Sequence, residues 1–511
     1  MLDQRGAARV LSDRRTFWFV AFLALALFVS ANLPWQVDDY DQAKQAFTSF
    51  QMVNEGRWLY QTTPHDRIAT KPPLIGWMSA GFYLATRSWE NAWRLPSLLA
   101  ALTLGALLYR CSERAYGRVA GLIAFAAFAF DLLTPRLATL VRTDMPLALA
   151  IFAVGALIWE KLRTERKWGT RDRFVIFLCL TAGMLIKGPV VWAFLLPGII
   201  GFQVWQRKTN ASAFPGWWPW IASLVVFLTW VYGGIRLVPN FYEDVVVREF
   251  LGRFGGEVHR SQPIFFYLPH LIHKFAPWSF LLIGLTFLQL RRGSGNGRPS
   301  TNFRQHPAAA DVSHGRSAKI SPATGWLICW SVGAIVAMSL LPSKRVDRIF
   351  PVIPVLSMLL GAQVAVFASR LQYRTPIYRW CTAALAAGIL MSGGYFGWKA
   401  GVGYRENRAA LADFGAKVRK QSELHKWRYA VVSAPDESLL LYLRKTEFIL
   451  PRQAAEKWNS GNIDAVVVST RDEPDLVAQL SPAAATMLRS VHRTDGDSLD
   501  YALLGKSAPT D

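Results

Sequence analysis

The stretch TFWFVAFLALALFVSANLPWQVDDYDQAKQAF, residues 16–47, decides how the chain is read. Its first twenty residues are almost pure hydrocarbon, about the length that crosses a bilayer core. Three aspartates, Asp38, Asp39 and Asp41, then fall within four positions at the end of that run. Carboxylates at a membrane edge are costly to desolvate, so their presence asks for a polar task.

Similar apolar runs recur along the 511 residues, of which 52% are hydrophobic and only 18% charged. Soluble domains carry roughly a quarter of charged residues, so this is a polytopic membrane protein, mainly α-helical. The opening MLDQRGAARVLSDRR resembles the start of a signal peptide, but no small-residue cleavage pattern follows, and a retained first span is expected. The net charge of +22 does not call for nucleic acid. Much of the Lys and Arg lies in short loops, where the positive-inside rule accounts for it. The four cysteines lie in or beside apolar runs, with no pair at metal-ligand spacing.

Basic loops set the expected topology. Arg5, Arg9, Arg14 and Arg15 place the N-terminus in the cytoplasm, and 16–35 crosses outward. Residues 36–93 form a first external loop with two interfacial helices, 41–54 and 72–86. Spans near 94–110, 118–133, 145–159, 174–187, 189–205 and 217–235 follow, with EKLRTERKWGTRDR (160–173) inside. A second external loop covers 236–274, and a further span 275–290 leads to a Gly/Ser-rich cytoplasmic linker, 291–322. Spans at 326–341, 349–369 and 380–396 complete eleven crossings. Residues 1–398 are thus a membrane domain, and 399–511 read as a small external α/β domain with strands in RYAVVS, TEFIL and DAVVVST.

Charges at the external ends of the spans are what the positive-inside rule does not explain. They are Asp38, Asp39, Asp41 and Lys44; Lys71 before Pro72-Pro73; Arg142 and Asp144; Lys187 in LIKGP; His259 and Arg260; and Lys344, Arg345 and Arg348. Each has an ordinary reading. Asp41 fits a helix N-cap, the lysines can snorkel to headgroups, Asp38 and Asp39 read as a solvated rim, and His259 fits a surface histidine. Together they describe a polar cavity on one face. Its cations suit a phosphate, with arginine offering a bidentate fork and lysine a point charge. A nearby carboxylate can take a proton from an attacking hydroxyl.

The ordered motifs resemble the membrane-embedded C-type glycosyltransferases that use polyprenyl-phosphate sugars, above all the lipid A aminoarabinose transferases and the protein O-mannosyltransferases. Asp41 stands at the aspartate of the family's D-E-x-R-Y, with Gln42 in place of Glu and Lys44 in place of Arg. TKPPLIGWM (70–78), RTDMPLAL (142–149), LIKGP (185–189), REFLGRF with EVHRSQPIFFYLP (248–269) and SKRVDRIFPVIP (343–354) are similar to its later motifs, over about residues 15 to 370. Phe250 replaces a polar His there and Arg348 a Tyr.

The resemblance implies a C-type fold in a bacterial inner membrane, with the site and the C-terminal domain external. It implies an inverting transfer of sugar from a polyprenyl phosphate, undecaprenyl phosphate in bacteria, to a lipid, glycan or protein acceptor. Asp41 and Asp144 are the expected catalytic residues. Lys71, Lys44, Lys187, Arg260, Lys344 and Arg345 are expected to hold donor phosphate, and Arg57, Arg253 and His259 to contact substrate. No metal set is read, and Gln42 leaves a divalent cation open. The rival reading is a transporter or flippase of a lipid-linked or anionic solute, against which no inverted hydropathy repeat is seen.

Overall fold

The computed structural model describes residues 4–37, 40–206, 212–252, 261–293, 320–491 and 500–506. Its helices are α1 (Gln4–Ser12), α2 (Arg14–Ser30), α3 (Tyr40–Glu55), α4 (Leu74–Thr86), α5 (Trp89–Tyr116), α6 (Arg118–Ala129), α7 (Thr134–Ala138), α8 (Asp144–Thr164), α9 (Thr170–Lys187), α10 (Val190–Trp205) and α11 (Trp218–Leu237). A π-helical turn, Tyr242–Leu251, precedes α12 (Tyr267–Lys274), α13 (Trp278–Gly293), α14 (Pro322–Leu340), α15 (Ile353–Ala368) and α16 (Leu371–Arg405). The C-terminal segment holds α17 (Ala410–Leu424), β1 (Tyr429–Val431), α18 (Ser438–Leu443), α19 (Pro451–Asn459), β2 (Ala465–Ser469), α20 (Glu473–Val477), β3 (Ala484–Arg489) and β4 (Tyr501–Lys506).

A helix stands at every expected span. Among the described residues, five are long and apolar enough to cross a membrane: those at 89–116, 144–164, 218–237, 322–340 and 346–368. A sixth is added if Ile264–Lys274 and Trp278–Arg291, which turn by 105° at their break, count as one span. The chain divides into two compact units. One comprises Met1–Val29, Ser97–Thr139 and Thr143–Tyr395; the other comprises Ser30–Pro96, Leu140–Arg142 and Phe396–Asp511.

In the first unit, helices pack through glycine and tryptophan. A methyl group on Gly333 of α14 would sit 2.6 Å from the Gly198 backbone nitrogen of α10. Only small residues permit so close a backbone approach, the usual device where helices gain nothing from expelling lipid. The Trp330 ring covers Gly155 of α8, and Trp326 Nε1 donates to the Gly155 carbonyl at 2.9 Å. Between α6 and α7 the backbone breaks where water is scarce, so its polar groups need partners. Fully buried Asp131 accepts from the amides of Leu133 and Thr134, while Ser392 and Trp278 donate to the carbonyls of Asp131 and Phe130.

In the second unit, the first external loop and the C-terminal segment share one core. Phe47 and Phe50 of α3, Trp89 and Trp93 of α5, Phe414 of α17, Leu439–Leu443 of α18 and Val467 of β2 belong to it. The sheet order is β1-β2-β4-β3, with β1 and β2 parallel and the other pairs antiparallel. Two expected strands form. The third, TEFIL, gives only an isolated bridge, Val432 to Ile449, while β3 and β4 were not expected. The expected helix 41–54 is present as α3, but its polar side is buried as well as its apolar one. Gln51 exchanges hydrogen bonds with Thr62 (2.8 and 2.9 Å), and Trp93 Nε1 donates to Ser49 at 3.1 Å.

Gly333→Leu should leave no folded protein in detergent extracts by size-exclusion chromatography. Gly393→Ala, where a methyl group meets nothing within 4 Å, should keep the wild-type elution profile and melting temperature.

Candidate functional site

The polar residues are placed by each unit separately. In the second unit, α3 puts Asp41 in its first turn, where the helix dipole favours an anion. Arg142 Nη2 lies 3.7 Å from the Asp41 carboxylate, and its side chain is only 7% exposed. Next to it, Gln42 is buried, and its Oε1 accepts from the Val141 amide at 3.2 Å. Two adjacent side chains of α3 thus grip two adjacent residues of the 140–142 segment. Lys44 sits with Nζ 4.0 Å from the centre of the Tyr40 ring.

Arg57 is not brought to Asp41. It lies beyond the opposite end of α3, roughly 20 Å away at 1.5 Å per residue, and pairs with Glu55 at 3.1 Å. Lys71 stands half-buried directly before Pro72-Pro73 and α4. Gly76 lets α4 close on α3, since a methyl group there would sit 2.5 Å from Met52 Cε.

Glu437, which precedes α18, is buried, and its Oε2 has no hydrogen-bond partner among the described residues. Burial pushes its carboxyl above the usual range, although Lys44 and Arg67 pull the other way.

In the first unit, Asp144 opens α8 and Lys187 closes α9. Lys187 Nζ donates to Asp144 Oδ1 at 2.5 Å, with side chains 13% and 8% exposed. Lys187, Ser343 and Arg348 line a cavity of about 30 Å³ whose walls include Leu147, Phe194 and Met338. Arg348 Nη1 donates to both the carbonyl (2.7 Å) and the hydroxyl (2.8 Å) of Ser343, which fixes its fork beside Lys187. Lys344 is buried and is not part of this lining. Its ammonium donates to the Gln262 carbonyl at 2.9 Å, and burial lowers its pKa. Arg345 is half-buried, and Asp347 takes Arg136 at 3.4 Å.

Asp38, Asp39, Arg253, His259, Arg260 and most of the linker 291–322 lie outside the described residues. Among those described, no three His, Cys, Asp or Glu side chains gather as a metal cage. Sequence reading noted Arg142 and Arg348 as charges but gave neither a role, and it missed Asp131 and Arg136. Only the spacing R-T-D, which sets Arg142 two positions before Asp144, hinted at the first.

Residues 70–232, which include Lys71, Asp144 and Lys187, match the family described as dolichyl-phosphate-mannose-protein mannosyltransferase. The chain is 23% identical over 326 residues to the undecaprenyl phosphate-alpha-4-amino-4-deoxy-L-arabinose arabinosyl transferase of Shewanella sediminis, covering 63% of this chain and 54% of that one. It is 26% identical over 365 residues to the like-named transferase 1 of Sodalis glossinidius, covering 70% and 59%. The chain therefore spans a little over half the length of these relatives. Among solved structures, ArnT from Cupriavidus metallidurans bound to undecaprenyl phosphate is similar with a TM-score of 0.65 at 18% identity, over 96% of this chain and 98% of that one. The archaeal oligosaccharyltransferase AglB from Archaeoglobus fulgidus has a TM-score of 0.50 at 11% identity, over 91% and 71%. At these identities the likeness is one of fold.

Removing one partner of a buried ion pair strands the other charge, at a cost of about 3–5 kcal/mol. Asp144→Ala should therefore lower the melting temperature more than Asp144→Ala combined with Lys187→Met. For Glu437 the raised pKa means that the folded state holds the proton more tightly than the unfolded chain, so its contribution to stability is lost as pH rises above 4.5. Glu437→Gln should melt with wild type at pH 4 and above it at pH 7.5 in differential scanning fluorimetry.

Proposed function

We propose, from the premise that this chain belongs with the C-type, polyprenyl-phosphate-sugar glycosyltransferases in fold and motif order, that it is an inverting glycosyltransferase. Its donor is a sugar on a polyprenyl phosphate, undecaprenyl phosphate first among them. Its acceptor is a lipid, glycan or protein hydroxyl or phosphate at the external face, with lipid A the first to try. The reading includes eleven crossings, a cytoplasmic N-terminus and an external C-terminal domain. The observation that carries it is the cavity where Lys187, fixed by Asp144, and Arg348, fixed by Ser343, meet against apolar walls.

The chemistry follows from charge. The acceptor oxygen forms a bond to the anomeric carbon while the bond from that carbon to the phosphate oxygen breaks, so negative charge grows on the departing phosphate. Cations already fixed in a dry setting stabilise that charge without reorganising. Lys187 and Arg348 supply this in our reading, with Lys71, Lys44, Lys344, Arg345 and Arg260 as further contacts to donor. Asp144 acts as a positioning residue for Lys187. Asp41, held beside Arg142, takes the proton of an acceptor hydroxyl, or orients an acceptor that carries none. Arg253 and His259 are left as substrate contacts, and Arg57 is the least favoured by its position.

The test is transfer of labelled sugar from undecaprenyl phosphate to lipid A by detergent-purified protein, where no gradient exists to drive transport. Asp41→Asn should lower kcat by a factor of about 10² to 10⁴. Arg348→Met should raise the donor KM about ten- to a hundredfold, as expected for losing a charged hydrogen bond. Full activity of Asp41→Asn would remove the assignment of the base, and absence of any transfer would return the case to transport.

A further inference from the structure

Residues 33–37, shortly before α3, are held from the far end of the sequence. Val37 is 1% exposed, and its backbone N–H donates to the Tyr442 hydroxyl at 2.8 Å across 405 positions. Tyr442 belongs to α18, all six residues of which are buried. Two positions before Val37, the Trp35 ring lies under the Arg94 guanidinium at 5.0 Å. Arg94 is tied to the Glu90 carbonyl at 2.6 Å, and the Glu90 carboxylate takes Arg444 at 2.6 Å. Arg444 comes from the same C-terminal segment as Tyr442. Beyond Val37, α3 lays Ala43, Ala46, Phe47 and Phe50 into the core that it shares with α18.

We propose that the C-terminal domain is a working part of the catalytic unit, and that Tyr442 is the positioning residue through which it sets Asp41. This rests on the reading of Asp41 as the group that acts. Asp41 stands four residues after Val37, and its carboxylate meets Arg142 only if the first turn of α3 is held in place. The hydroxyl of Tyr442 gives a buried N–H its acceptor. A phenyl ring would fill the same space and leave that donor unsatisfied, so residues 35–37 would shift to find another partner. The cost then appears in the placement of Asp41 and not in the core. The domain thereby does more than extend the chain: it fixes the geometry of a residue four hundred positions earlier.

Tyr442→Phe in the full-length protein tests this. Its kcat should fall about ten- to a hundredfold, the loss that a small misplacement of a catalytic group brings. The donor KM should stay at its wild-type value, the melting temperature should fall by no more than one lost hydrogen bond brings, and amide hydrogen exchange of residues 35–46 should quicken. In an Asp41→Asn background the same change should cost no further kcat, because Tyr442 acts through Asp41. Unchanged exchange, or quickened exchange with unchanged kcat, overturns the proposal. Failure of Tyr442→Phe to fold overturns it too, since the hydroxyl is assigned to placement and not to stability. Exchange reads the Tyr442 contact whatever Asp41 does. A fully active Asp41→Asn would therefore sink the proposed base while the exchange result still judged the contact.

Discussion

A charged side chain drawn out of water persists only with an opposite charge or a polar acceptor within reach, and the polar architecture of this chain follows from that constraint. One short stretch, residues 141–144, supplies two such partners. Arg142 goes to Asp41 and Asp144 goes to Lys187. Two unit charges at 4 Å attract by about 4 kcal/mol at an effective dielectric near 20, while removing each ion from water costs several. The two terms nearly cancel, so these pairs add little to stability. What they fix is position. Asp41 is held against Arg142, and Lys187, bonded to Asp144, lines an apolar-walled cavity.

Placement of Asp41 then depends on α3, and α3 depends on the C-terminal domain. Ten of its sixteen residues are buried. A loop of some sixty residues has too much surface for its volume to bury a helix on most sides by itself. The remaining apolar area comes from α17, α18 and the sheet, which close the same core. The polar residues drawn inside, Gln42, Gln51 and Ser49, are each bonded, as a buried helix face requires.

Much of this was legible in the sequence because membrane physics writes strongly. Apolar length placed the helices, and the positions of charges placed Asp41, Lys71, Asp144 and Lys187 near helix ends, where they are found. The pairings were not legible. Arg142 and Asp41 are a hundred positions apart, and nothing local to either names the other. Arg57 stood close to Asp41 in sequence, yet the rise of α3 carries it away. The shared core was hidden for a similar reason, since 36–93 and 399–511 each read as a self-standing segment. In the C-terminal domain, β4 is a five-residue buried run that periodicity cannot tell from helix, and β3 is a largely exposed edge with a register shift. TEFIL had strand composition but pairs at one residue only.

Position 42 shows why a departure from a motif need not disturb a site. The family that the chain resembles often has Glu there, beside the motif's aspartate, and this chain has Gln. Gln42 is buried, and the group it serves is a neutral backbone amide, that of Val141. An amide oxygen accepts that hydrogen bond as a carboxylate would, without placing a second negative charge next to Asp41. With Arg142 already engaged by Asp41, a second carboxylate would need a cation of its own. The substitution therefore keeps the clasp between α3 and the 140–142 segment and adds no second carboxylate beside Asp41.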